Sequence, residues 1–321
     1  MKAIVQDAYG PPDVLELRDI DRPAIGDRDV LVRVHAAGVD PGVWHLTAGL
    51  PYVIRVMGLR RPPGRVRGWD VAGRVEAVGK DVTGLAPGDD VFGACDGSFA
   101  EYARSRESRL LPKPANLTFE QAAAVPVSAM TALQGLRDKG EVKPGQKVLI
   151  IGAAGGVGTF AVQIARAFGA QVTGVCSTTK TDLVRSIGAD HAIDYTREDF
   201  ADGGRHYDLI LDTAGNRSLS HLRRALAPRG TLVIVGGEGG GRWFGGLDRQ
   251  LRALLLSPFA GHRLRPLFAA GRKEDLQLLK DLVEAGKVTP VIDRVYPLGE
   301  AREAVRYLHR GQARGKVVIT V

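Results

Sequence analysis

At 321 residues with 44% hydrophobic and 25% charged side chains, the chain has the composition of a soluble globular protein. It is longer than one ordinary core of ~150 residues needs, which suggests two domains and argues against a disordered or fibrous chain. The formal net charge of +8 is spread along the chain without a recognised nucleic-acid motif, so a main nucleic-acid role is not expected and attraction of an anionic cofactor accounts for it.

No apolar run reaches the ~18 residues that a membrane span requires, and the start MKAIVQDAYG has no apolar signal core, so the expectation is cytoplasmic with no membrane partner. The two cysteines, Cys95 and Cys176, match no metal spacing and read as free thiols.

Residues 1 to about 120 read as short strands between turns. KAIVQ, VLVRVHAAGV and GRVEAVG are apolar or alternating and rich in β-branched residues, and Pro11-Pro12, Pro23, Pro41, Pro51, Pro62-Pro63 and Pro87-Gly88-Asp89 punctuate them, which predicts an antiparallel, barrel-like β domain. One local concentration of cations, Arg55, Arg60, Arg61, Arg65 and Arg67, lies within it. At Thr118 the texture turns helical: Thr118 is placed as an N-cap with Gln121 at the capping-box position, and AAAVPVSAMTALQGL continues as helix interrupted near Pro126.

From Gln146 to about Val235, strands and helices alternate through KVLIIG, QVTGVC, HAIDY, YDLILDTAG and GTLVIVGG, with helices expected at Lys180–Ile187 and Ser218–Leu226. That rhythm implies a parallel sheet covered by helices on both faces, an α/β doubly wound fold. Residues 236–246 are glycine-dense around Trp243 and Phe244 and read as a mobile loop; Leu251–Leu256 and Asp275–Ala285 read as helices, and residues 291–321 as strand, helix, strand.

The stretch VLIIGAAGGVGTFAVQIARAF, residues 148–168, joins a strand to a helix through glycines and reads as a dinucleotide-binding opening. Gly155 lets backbone approach a pyrophosphate, Gly158 lets the helix lie close on its strand, and first-turn amides favour the anion, which makes Ala154, Gly155, Gly156, Val157 and Gly158 cofactor candidates. A site selective for NAD ends its second strand with an acid that bonds the ribose 2′-hydroxyl. Here Cys176, Ser177, Thr178, Thr179 and Lys180 follow instead. Hydroxyls with a lysine suit a 2′-phosphate, so NADP is favoured over NAD, although the hydroxyls also read as caps of the next helix. Tyr195 is a candidate for the adenosine side or an ordinary strand-end tyrosine. Val235, Gly236 and Gly237, at a later strand end, are candidates for the nicotinamide carboxamide or a simple turn.

Together GAAGGVGTFAVQIARAFGA, RGWDVAGRVEAVG, PGDDVFG, GSFAEY, SAMTAL, DHAIDY and GKVVITV resemble the medium-chain dehydrogenase/reductases, in their zinc-independent quinone oxidoreductase-like branch, along essentially the whole chain. The resemblance implies a GroES-like substrate domain over residues 1–122, completed by 287–321, with a Rossmann NADP-binding domain over 123–286. It adds Thr131, on the SAMTAL helix, to the cofactor contacts, and it implies a homodimer through an edge strand of the Rossmann sheet. Zinc-dependent relatives place three ligands where this sequence has Asp40, Trp69 and the Cys- and His-free stretch Val125–Thr131. Tryptophan does not ligate zinc, and one carboxylate falls short of three protein ligands.

Without a metal, the reaction must stabilise developing oxyanion charge by hydrogen bonds or deliver hydride to an acceptor that needs little activation; quinones and α,β-unsaturated carbonyls meet that condition, so the expected function is NADPH-dependent reduction of such a substrate. Asp40, His45 and Tyr52 are the catalytic candidates. Asp40 stands where quinone oxidoreductases usually offer an asparagine, and an ionised Asp cannot donate to an oxyanion. His45 is either a proton relay or a histidine bonded to backbone, and Asp70 reads as a turn anchor. Two alternatives remain: a reductase of enoyl-thioesters or simple carbonyls, whose CoA-type phosphate would meet Arg55–Arg67, and an NADP-binding regulatory or RNA-interacting protein without turnover.

Overall fold

Fifteen strands and nine α-helices are given by a computed structural model that describes residues 1–236 and 241–321. The strands are β1 (Lys2–Val5), β2 (Glu16–Asp19), β3 (Asp29–Val39), β4 (Asp70–Val78), β5 (Asp90–Ala94), β6 (Tyr102–Arg106), β7 (Leu110–Pro112), β8 (Lys147–Ile151), β9 (Gln171–Cys176), β10 (His191–Asp194), β11 (Tyr207–Asp212), β12 (Leu226–Ile234), β13 (Arg263–Pro266), β14 (Ile292–Pro297) and β15 (Lys316–Thr320). The helices are α1 (Pro41–Ala48), α2 (Phe119–Ala123), α3 (Pro126–Gln134), α4 (Gly156–Ala167), α5 (Thr181–Ser186), α6 (Leu219–Arg224), α7 (Leu247–Leu256), α8 (Lys273–Glu284) and α9 (Ala301–His309). They divide into two units, one of residues 1–128, 271–286 and 290–321, the other of residues 129–270 and 287–289.

The first unit is built on a seven-stranded sheet in the order β14-β15-β3-β4-β5-β7, with β6 paired to β3. Apolar residues of β3, among them Val30, Val32, Ala37 and Val39, are buried, and β3 pairs antiparallel with β4, β6 and β15. β14 and β15 pair in parallel because the helix α9 intervenes between them. The α2 N-terminus is closed by the expected capping box: the Gln121 amide donates to Thr118 Oγ1, and Gln121 Oε1 accepts from the Thr118 amide. The helical pattern breaks before Pro126, since proline disfavours a helical residue ahead of it.

The second unit holds six parallel strands in the order β10-β9-β8-β11-β12-β13. From β8 the chain winds outward through β9 and β10, then returns to β11 and winds the other way, so right-handed crossovers place helices on opposite faces. This is the Rossmann order. Its core includes Leu149, Ile151, Val175, Ile193, Ile210, Leu232 and Ile234.

Three expectations shift. Residues 271–286, expected in the nucleotide-binding domain, cluster with the first unit, where the Asn116 side-chain amide donates to the Val283 carbonyl at 2.9 Å. The helix expected from Ser218 to Leu226 ends at Arg224, and Leu226 already starts β12 because it pairs in register with Tyr207. Lys180 stands outside α5, at the end of a 3₁₀ turn Thr178–Lys180. The proposed mobile loop lies partly outside the described residues; within it, Gly241 and Gly245 form a bridge.

Candidate functional site

The C-terminal ends of the parallel strands form the edge where open α/β sheets bind ligands. At β8 the chain turns through Gly152, whose φ of 81° suits glycine, and α4 begins after Gly155. A Cβ on Gly158 would overlap the Gly152 carbonyl oxygen and stand 2.8 Å from Ala153 Cα, so only glycine permits this approach of helix to strand. No side chain caps α4 at Gly155, and a Cβ there would meet only the Gly152 oxygen, at 3.4 Å. The first-turn amides of Gly156, Val157 and Gly158 thus have no side-chain cap from Gly155, and a helix start of this kind suits an anion such as a pyrophosphate. Ala154 is buried beneath this turn.

β9 ends at Cys176, where burial pushes the thiol up to about 11; it stays protonated at neutral pH and offers shape and backbone rather than a thiolate. Ser177 precedes the 3₁₀ turn without a side-chain capping bond, so its hydroxyl is not spent as the simpler reading proposed. Thr178 is engaged elsewhere. Its Oγ1 donates to Asp194 Oδ2 at 2.5 Å, and Asp194 Oδ1 accepts from the Thr196 amide and hydroxyl at 3.0 and 2.7 Å. The Thr178 hydroxyl, followed by the Thr196 bonds, holds the Asp194 carboxyl below the usual range. Sequence reasoning missed this acid because it belongs to the neighbouring strand: the parallel register sets Asp194 beside Cys176. Tyr195, half exposed, has the Arg217 guanidinium 5.9 Å from its ring centre.

At the switch point between β8 and β11, Thr213 Oγ1 donates to the Ile151 carbonyl at 2.7 Å. Buried Asp212 accepts from the Gly215 amide at 3.0 Å and is ion-paired with Arg249 of α7. Its backbone oxygen accepts from Val235 and Gly236 amides at 2.9 and 3.3 Å, so those amides are already used within the protein. Gly237 lies outside the described residues. Thr131 is buried in α3. The turn after β8, residues 176–180, Tyr195 and Val235–Gly236 thus all follow C-terminal strand ends of one sheet.

In the first unit Asp40 caps α1, Oδ1 accepting from the Gly42 amide at 2.8 Å. It is 4% exposed, and burial pushes its carboxyl above the ordinary range while Lys316 and the Gly42 amide draw it back. His45 Nδ1 lies 2.8 Å from the Leu50 carbonyl; a carbonyl only accepts, so Nδ1 is the donor in this contact. Tyr52 opens the turn Tyr52–Met57 with the Arg55 guanidinium 4.9 Å from its ring centre.

Asp70 is not a turn anchor. It begins β4 fully buried, its Oδ1 accepts from the Val127 amide at the start of α3 at 3.1 Å, and its Oδ2 is 3.6 Å from Lys316 Nζ. Lys316, 1% exposed, donates to Ser128 Oγ at 3.0 Å. Burial pushes the Asp70 carboxyl up to about 7 against the pull of Lys316. Among the described residues no three His, Cys, Asp or Glu side chains are grouped to hold a metal ion, and at the positions of zinc ligands the buried cap Asp40 and the indole of Trp69 do not fit zinc.

Comparison with known proteins matches residues 26–115 to the alcohol dehydrogenase GroES-like domain and residues 187–319 to the zinc-binding dehydrogenase domain. The chain is 34% identical to a mitochondrial NAD(P)H oxidoreductase of Mus musculus, over 100% of this chain and 89% of that protein. It is 35% identical to the 2-methylene-furan-3-one reductase of Solanum lycopersicum, over 99% and 79% respectively. Among solved structures, the quinone oxidoreductase from Coxiella burnetii superposes with a TM-score of 0.89 at 31% identity, covering 100% of this chain and 99% of that one.

Proposed function

Because the chain belongs to the medium-chain dehydrogenase/reductases, in their quinone oxidoreductase-like branch, with a GroES-like β domain and a Rossmann domain, we propose that it transfers hydride from NADPH to a quinone or an α,β-unsaturated carbonyl. The observation that carries the cofactor reading is the uncapped α4 N-terminus at Gly155. When bound, NADPH supplies the hydride. The Gly156, Val157 and Gly158 amides hold the pyrophosphate, Ser177 and Lys180 hold the 2′-phosphate, and Tyr195 lies along the adenosine. Relatives named for a quinone, a methylene-furanone and NAD(P)H support the same reading.

Quinones and enones spread the developing oxyanion charge through conjugation, so they need no metal Lewis acid. The misfit of Asp40 and Trp69 to zinc supports a zinc-independent reaction. His45 and the Tyr52 hydroxyl are the proton-handling candidates, while Asp40 fixes the start of α1 as its cap. The cytoplasm is the proposed compartment, and the two buried free cysteines suit a reducing one. A homodimer is proposed through the end strand β13, which among the described residues has a strand partner on one side only, beside exposed Leu255 and Phe259.

Fluorescence titration with NADPH and NADH tests the cofactor assignment. Lys180→Glu is expected to weaken NADPH binding about tenfold, the worth of a charge-assisted bond, and to leave NADH binding nearly unchanged. An unchanged NADPH affinity would overturn the 2′-phosphate role of Lys180.

A further inference from the structure

Between Gly49 and Asp70 the chain carries five arginines and no acidic residue, and the structure sorts this segment into a pinned inner side and a bare outer one. On the inner side the Tyr9 hydroxyl donates to the Gly58 carbonyl at 2.6 Å, and Arg55 Nε donates to the Gly49 carbonyl at 3.0 Å. Buried Arg67 donates to the Pro63 and Gly64 carbonyls, while Arg65, itself exposed, pairs with Asp7 at 3.0 Å. On the outer side Val56, Met57 and Leu59 are 77, 63 and 80% exposed. Arg60 and Arg61 follow directly, also exposed, with no ion pair among the described residues.

We propose that residues 56–61 are a docking element for the surface of an anionic phospholipid bilayer. Three exposed apolar side chains, two in the last residues of a short turn and one just beyond it, suit the headgroup and acyl boundary, and the two adjacent guanidiniums suit lipid phosphates. Charge complementarity selects an anionic surface, and the apolar side chains select lipid over a free phosphate, which would leave Val56, Met57 and Leu59 in water. No helix among the described residues is long and apolar enough to cross a membrane; that bears on spanning and not on surface docking. Docking is independent of which acceptor is reduced.

Cosedimentation of the full chain with phosphatidylcholine vesicles, with and without a phosphatidylglycerol fraction, tests this. The expected result is partition onto the anionic vesicles alone, weakened by salt. Arg60→Glu with Arg61→Glu is expected to lower it roughly thirtyfold, and Val56→Asp with Leu59→Asp to lower it comparably. Arg302→Glu with Arg310→Glu, an equal charge change elsewhere, is expected to retain it. Circular dichroism and NADPH binding check that each variant is folded. Absence of wild-type binding to anionic vesicles overturns the proposal, as does equal loss in the Arg302/Arg310 control, which would mean attraction by net charge. If the wild type ignores vesicles and Arg60→Glu with Arg61→Glu instead changes the oligomer mass or the affinity for coenzyme A, the element serves a second copy or a nucleotide, and the bilayer assignment fails.

Discussion

Lys316 carries an ammonium into the interior of the first unit, where Asp70 at 3.6 Å and the Ser128 hydroxyl at 3.0 Å are its partners. Removing one member of such a buried pair strands the other without water, whereas replacing both by neutral side chains costs far less. Lys316→Met is therefore expected to destabilise the protein by ~3 kcal/mol in urea unfolding, and the double variant Asp70→Asn with Lys316→Met to recover part of that, because buried Asp40, which Lys316 also draws, is left behind. Equal loss in the single and double variants would show that a stranded Asp70 carboxyl is not what the single variant costs. Nothing local in GWD or GKVVITV discloses this pair, because it forms only when β15 lies against β3 and β3 against β4. Asp194 was hidden for the same reason, reaching Thr178 across neighbouring strands. His45 was legible only as two alternatives, and its bond to the Leu50 carbonyl supplies the backbone partner of one without removing Nε2 from the other.

The strand, glycine turn and helix of residues 147–167 were legible in full, since all of their determinants are contiguous: an apolar run, glycines at the turn, and a helical apolar period. The capping box at Thr118 and Gln121 was legible for the same reason. Element ends were less so. Leu226 has the pattern of a helix residue but is held in β12 by its pairing with Tyr207. The close seat of α4 gives the sharpest expectation at this scale: a Cβ on Gly158 overlaps the Gly152 carbonyl, so Gly158→Ala must push the helix from its strand. The expected outcome is a loss of ~2 kcal/mol in denaturant stability together with weakened NADPH binding. Retained stability and affinity would contradict the close approach.

At the scale of the whole molecule, the change from strand-rich to alternating texture near Thr118 was visible in composition, and the return of residues 290–321 to the first unit agrees with the strand pattern of that tail. The placement of residues 271–286 was not visible, because a helix with one apolar face carries no mark of which core it covers. Exposed Leu255, Phe259 and Phe268, at 73, 88 and 68%, and the open side of β13 lead to an expected mass in light scattering of twice the chain, reduced to the single chain by Leu255→Asp with Phe259→Asp. A wild type that runs as a monomer would remove the edge strand from the account of assembly.

The reaction itself is tested most directly by NADPH consumption with a quinone, an enone and a saturated ketone, each measured with and without excess chelator. The expected result is turnover with the quinone or the enone, little with the ketone, and no change on chelation. NADPH binding without turnover of either conjugated acceptor, or turnover abolished by chelator and restored by zinc, would contradict a zinc-independent quinone or enone reductase.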